Sequence, residues 1–83
     1  MQVDLEDVAR LVAVQLGRRR VAAGDRIVED LGAESLDVVN VIAGVEDRYQ
    51  IEIAESEVAD IHTVADLFAV VRARYARRDS PAG

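Results

Sequence analysis

Apolar residues return at helical spacing in two long stretches and near the N-terminus, and the gaps between them sustain no such stripe. From Asp4 to about Gly17, Leu5, Val8, Leu11, Val12 and Leu16 recur every three or four residues, which predicts an amphipathic helix. Asp4 suits its N-cap, and Glu6 and Asp7 suit its first turn. Gly17 followed by Arg18, Arg19 and Arg20 suits its end. Residues 21 to 34 sustain no stripe and read as a long loop, with Ile27, Val28 and Leu31 as apolar anchors that pin it across the fold.

A second helix is predicted from Ser35 to about Tyr49, with Leu36, Val39, Ile42, Val45 and Tyr49 facing inward. Val38 and Val41 lie off that stripe and are expected to be partly exposed. Gly44 costs about 1 kcal/mol of helix propensity against Ala, so a close approach is expected there. Ile51-Glu52-Ile53 alternates, but a lone three-residue strand has nothing to pair with. It is read as an extended link burying both Ile side chains. Glu55 to Asp60 is read as a short third helix. Thr63 with Asp66 resembles a capping box and opens a fourth, whose inner stripe is Val64, Leu67, Phe68, Val71 and Tyr75. The expectation is an all-α bundle of three longer helices and one short one, with a long loop between helices 1 and 2. It forms one domain over residues 1–78, followed by a frayed tail at 79–83.

Composition sharpens this picture in two ways. There is no Cys in the 83 residues, so neither disulfides nor thiolate metal sites can staple so small a domain. Aliphatic burial must hold it, since aromatic residues make up only 4%. The formal net charge of −6 argues against nucleic acid and for protein partners with basic surfaces. The acidic N-terminal segment is unlike a signal peptide, and no apolar run is long enough to cross a bilayer. A cytoplasmic protein without membrane insertion is expected.

The chemistry concentrates in Asp30-Leu31-Gly32-Ala33-Glu34-Ser35-Leu36-Asp37. A lone Ser stands where the long loop meets an amphipathic helix, flanked by carboxylates. The helix start favours an attached anion such as a phosphate; the plainer reading is an N-cap Ser. His62, the only His, permits a Ser35–His62–carboxylate hydrolase in principle, but a short helical bundle suggests neither a shaped pocket nor oxyanion donors. The arginines at 72, 74, 77 and 78 read as cations favourable near a helix end, and no EF-hand or Gly-rich phosphate loop is present.

The stretch D-L-G-A-E-S-L-D, the following V-V-N-V-I-A-G-V-E-D-R-Y, then I-E-I-A and D-I-H-T-V-A-D-L, resembles the acyl carrier protein family from about residue 5 to residue 75. The resemblance implies that Ser35 is esterified by 4'-phosphopantetheine from coenzyme A, and that the chain is a carrier, not an enzyme. It implies acyl thioester cargo in a fatty acid, polyketide or specialised lipid pathway. Partners would be a phosphopantetheinyl transferase and acyl-transferring, condensing or ligating enzymes with basic docking surfaces, visited as a monomer. Residues implied in partner recognition are Glu34, Leu36, Asp37, Val38, Val41, Glu46 and Asp47. Those implied as acyl-pocket lining are Val39, Ile42, Val45, Ile53, Ile61, Ala65 and Phe68. Glu34 departs from the family's usual Asp before the Ser, Asn40 and Arg48 stand at often acidic positions, and Ala54 replaces a common Pro. Peptidyl carriers usually show paired glycines before the Ser, and Gly32-Ala33 leans away from them. An unmodified carrier-like interaction protein is the alternative from another class.

Overall fold

A computed structural model describes residues 2–78; the tail expected at 79–83 lies outside the described residues. Four helices follow in order: α1 Leu5–Gln15, α2 Ser35–Tyr49, α3 Glu55–Val58 and α4 Val64–Arg78. The long helices pack pairwise around a core of Val8 and Val12 from α1, Val41, Val45 and Tyr49 from α2, and Val64, Leu67 and Val71 from α4. Aliphatic side chains dominate it, as composition required. Tyr49 is the large exception: it meets Tyr75 edge-on at 6.1 Å, and its hydroxyl is buried without a hydrogen-bond partner among the described residues.

Local signals set the helix ends. Asp4 accepts from Glu6 N at 3.2 Å. At the other end of α1 the chain turns through Gly17 at φ 65°, where Gly17 N donates to Val14 O at 3.3 Å and Arg18 N to Ala13 O at 2.8 Å. These two bonds form a Schellman motif, whose left-handed residue suits a side chain without Cβ. The close approach expected at Gly44 is present: a Cβ there would lie 3.2 Å from Leu11 Cδ2.

The long loop serves as a cap for α4. Asp25 O accepts from Val64 N at 3.1 Å, Ala23 O from Ala65 N at 2.9 Å, and His62 O accepts from Ile27 N at 2.8 Å. Thr63 Oγ1 takes Asp66 N at 3.0 Å, and Thr63 O takes Leu67 N at 3.1 Å. The first four N–H groups of α4, which a helix cannot satisfy internally, therefore all have partners. Asp66 Oδ2 in return accepts from Thr63 N and His62 N, each at 3.0 Å, and these bonds hold its carboxyl below the usual carboxylate range. Ile27 and Leu31 are buried anchors as expected; Val28 is exposed, so two of the three expected anchors hold the loop.

Two expectations about α2 need correction. Val41 is 1% exposed and belongs to the core, while Val39 and Leu36 are 59% and 68% exposed. At 3.6 residues per turn each three-residue step falls about 60° short of a full turn, so a stripe built on consecutive threes winds off the face. The buried face mixes threes and fours: Val38, Val41, Val45 and Tyr49, with Ile42 beside them. Leu36 and Val39 are left on the outside, near the start of the helix.

The link after α2 buries Ile51 and Ile53, as expected. Glu46 Oε2 accepts from Ile53 N at 2.9 Å, which fastens that link to α2. The arginines of α4 do more than complement a helix end. Arg74 donates to Glu57 Oε1, through Nε at 2.9 Å and through Nη2, tying α3 to α4 and holding the Glu57 carboxyl low. Arg78 donates to Tyr49 O at the end of α2 and lies over the Tyr75 ring at 4.6 Å.

Candidate attachment site at the start of α2

α2 and α4 run in the same direction, since Arg78 at the end of one reaches the end of the other. Their N-termini lie at one end of the bundle but are treated differently. The N-terminus of α4 is covered by loop carbonyls, whereas among the described residues the N–H groups of Ser35 and Leu36 have no partner. Orphan N–H groups and the positive pole of the helix favour a negative charge there.

The N-cap of α2 is Glu34, with φ −92° and ψ 172°, and Ser35 is the first helical residue. Asp37 Oδ2 accepts from Glu34 N at 3.0 Å, the returning half of a capping box. The N-cap reading of Ser35 is thereby corrected: its hydroxyl is exposed and takes no hydrogen bond among the described residues. A hydroxyl that caps nothing is available for substitution.

The loop that delivers Ser35 is internally braced. Asp30 Oδ2 accepts from Arg26 N at 2.8 Å, and Arg26 Nη2 donates to Asp30 Oδ1 at 3.2 Å. The Arg26 guanidinium holds the Asp30 carboxyl below its ordinary range, and Asp30 holds the guanidinium above its own. Gly32 N donates to Val28 O and Ala33 N to Ile27 O, closing residues 26–33 into a compact turn. Ala33 is buried, and the chain emerges at Glu34 and Ser35.

This geometry agrees with what the chain is similar to. A family model described as "Phosphopantetheine attachment site" matches residues 6–71. The acyl carrier protein of Syntrophobacter fumaroxidans is 37% identical over 70 residues, covering 82% of this chain and 83% of that protein. That of Helicobacter hepaticus is 39% identical over 70 residues, covering 82% and 92%. The chain belongs to the acyl carrier protein family. It is an acyl carrier bearing a covalent 4'-phosphopantetheine arm, not an enzyme, and such carriers interact with phosphopantetheinyl transferases and acyl-handling enzymes. The fold agrees as well. The holo acyl carrier protein of Geobacter metallireducens superposes with a TM-score of 0.79 at 21% identity, covering 89% of this chain and 87% of that one. The Thermotoga maritima acyl carrier protein gives 0.74 at 24% identity, covering 88% and 87%.

The other residues singled out in the sequence fall into three groups. Glu34, Leu36 and Asp47 are exposed and Asp37 is half-buried, so this part of the acyl carrier's expected recognition surface is accessible. Val38 is half-buried against the core and Val41 is inside it, so Val41 is removed from that surface. Glu46 is half-buried, with its carboxylate spent on the Ile53 amide, a role that sequence reading missed. Of the expected pocket lining, Val45 and Ile53 are core and Ile42, Ile61 and Phe68 pack against it. Val39 and Ala65 face outward and drop out of an interior lining. Ala65 sits about 100° round α4 from Val64, and its N–H is held by the loop. A broad open groove of about 1090 Å³ lies between the C-terminal halves of α2 and α4; of the expected lining only Ile53 borders it, with Ile51, Ala43 and Ala54 as the rest of its apolar part.

Proposed function

We propose that Ser35 bears the 4'-phosphopantetheine arm, and that the chain shuttles acyl intermediates among the enzymes of a fatty acid, polyketide or specialised lipid pathway. One observation carries this most directly: the Ser35 hydroxyl is exposed at the first residue of α2 while Glu34 and Asp37 provide the cap. The residues present suit a phosphate. Unpartnered N–H groups at Ser35 and Leu36 and the positive pole of α2 stabilise negative charge beside the hydroxyl. When bound, the arm supplies a terminal thiol that holds acyl groups as thioesters.

The protein's own part is presentation. Leu36 and Val39 form exposed apolar contacts beside Ser35, with Glu34, Asp37 and Asp47 as acidic residues on the accessible surface of the α2 region. A basic partner surface is drawn to the acids, and the two aliphatic side chains supply area to bury on contact. Asn40 and Arg48 interrupt the negative charge along α2, which favours a restricted partner set. The half-buried Ile42, Ile61 and Phe68 are the side chains best placed to yield to an acyl chain. We assign the carrier to the cytoplasm as a monomer; no helix among the described residues is long and apolar enough to cross a membrane, and net negative charge opposes self-association.

The test is intact mass after incubation with coenzyme A and a broad-specificity phosphopantetheinyl transferase. One arm is expected on the wild type and none on Ser35→Ala, whose fold is retained because Ser35 caps nothing. No addition to folded wild type across several transferases would overturn the assignment and favour an unmodified interaction protein.

A further inference from the structure

The run Arg18-Arg19-Arg20 reads in the sequence as three equivalent cations at the end of α1. In the fold they are not equivalent. Arg18 is the residue after the left-handed Gly17, and its backbone is fixed by the 2.8 Å bond from its N–H to Ala13 O. From there its Nη2 donates to Leu31 O at 3.0 Å, a half-buried bond to the loop that delivers Ser35. Leu31 is the last large apolar anchor of that loop, followed by the buried Ala33 just before the chain emerges at the attachment site.

Bracing of the loop leaves a specific task for this bond. The Arg26–Asp30 pair and the bonds Gly32 N to Val28 O and Ala33 N to Ile27 O lie within residues 26–33. The bonds of residues 23–27 tie the start of the loop to α4. Among the described residues, no other side-chain hydrogen bond joins the loop to the end of α1. Without it the braced turn is held by its buried anchors in the core and by its bonds to the segment entering α4.

We infer that Arg18 is a positioning residue for arm attachment: held by the turn at Gly17, its guanidinium clamps the Leu31 carbonyl and so sets where Ser35 is presented. This rests on the assignment of the arm to Ser35. A charge-assisted donor to a half-buried carbonyl is among the stronger single hydrogen bonds, and its loss raises local opening about tenfold. A nucleophile delivered out of register slows group transfer while leaving the docking charges on α2 untouched.

The experiment compares wild type, Arg18→Ala, Arg18→Lys and Arg19→Ala with coenzyme A and one transferase, together with amide hydrogen exchange. Arg18→Ala is expected to stay folded under assay conditions, with a urea midpoint lowered by no more than the loss of that one bond, about a tenfold shift in the folding equilibrium. Its hydrogen-bonded amides at residues 32–34 should exchange about tenfold faster, and kcat for arm addition should fall about tenfold with KM for the carrier nearly unchanged. Arg18→Lys should recover part of both, and Arg19→Ala should change neither. Arg18→Ala behaving as wild type, or Arg19→Ala matching it, would overturn the inference. A wild type that takes no arm at Ser35 removes the attachment assignment, and the positioning role with it; loss of the clamp alone is read separately from the exchange rates.

Discussion

Replacing Val41 with Ala, and separately Val39 with Ala, tests the rotational setting of α2 with the same chemical change at two places two residues apart. Val41 is 1% exposed between α1 and α4 packing, and Val39 is 59% exposed. The change removes two carbons' worth of apolar burial, about 1.6 kcal/mol at roughly 0.8 per group, and leaves a cavity that the neighbours fill only in part. The expected cost at Val41 is therefore about 2–3 kcal/mol, against less than about 0.5 at Val39. In a domain of this size that lowers Tm by roughly 10–20 °C for Val41→Ala and by a few degrees at most for Val39→Ala. Urea titrations followed by far-UV circular dichroism would measure both, with an unchanged slope required for a two-state comparison. Arm addition reads the other side of the helix: Val39→Ala should slow the transferase while stability holds. Equal losses of stability at the two positions would refute the assigned face of α2, and a more stable Val41→Ala than Val39→Ala would reverse it.

Glu46→Ala leaves the Ile53 amide without its charged acceptor and should cost about 1–3 kcal/mol by urea titration, whereas Asp47→Ala should stay within about 0.5; equal small effects would return Glu46 to a purely surface role. Asp37→Arg should slow arm addition and also cost about 1 kcal/mol, because it deletes the acceptor for Glu34 N; Asp37→Asn, which keeps an acceptor, should separate the two effects. Tyr49→Phe removes a buried hydroxyl that has no partner among the described residues and should leave the urea midpoint unchanged or raised; a fall would reveal a bond to that hydroxyl. Asp30, Glu57 and Asp66 have native pKa values below their ordinary ones, so their contribution is whole above the ordinary carboxylate range and is lost as pH falls through the depressed native values. The urea midpoint should therefore begin to fall near pH 4 (approximately the ordinary carboxylate value), and Asp66→Asn should flatten that fall.

Much of the architecture was legible because its causes are local. Asp4, Gly17, Thr63 and Asp66 act on backbone groups within five residues, so the helix ends they set can be read from short windows. The inner stripe of α4 mixes threes and fours and identifies its face correctly: Val64, Leu67 and Val71 are buried, with Phe68 and Tyr75 packed against them. In α2, valine and isoleucine occur on more than one face, and two stripes compete. There the choice is made by what α1 and α4 present, which no window along α2 contains.

Four helices with their approximate ends, an aliphatic core, an extended Ile51–Ile53 link and a lone Ser at the mouth of α2 can all be read from the chain alone. That Val41 is core and Val39 surface, that Ala23 and Asp25 cap α4, that Glu46 serves Ile53, and that Arg18 rather than its neighbours reaches Leu31 emerges from the packed fold. The division follows from the reach of the forces. Helix ends and periodicity arise from bonds to near neighbours in the chain, while burial and the destination of a long charged side chain depend on segments brought alongside by packing, after the local structure exists.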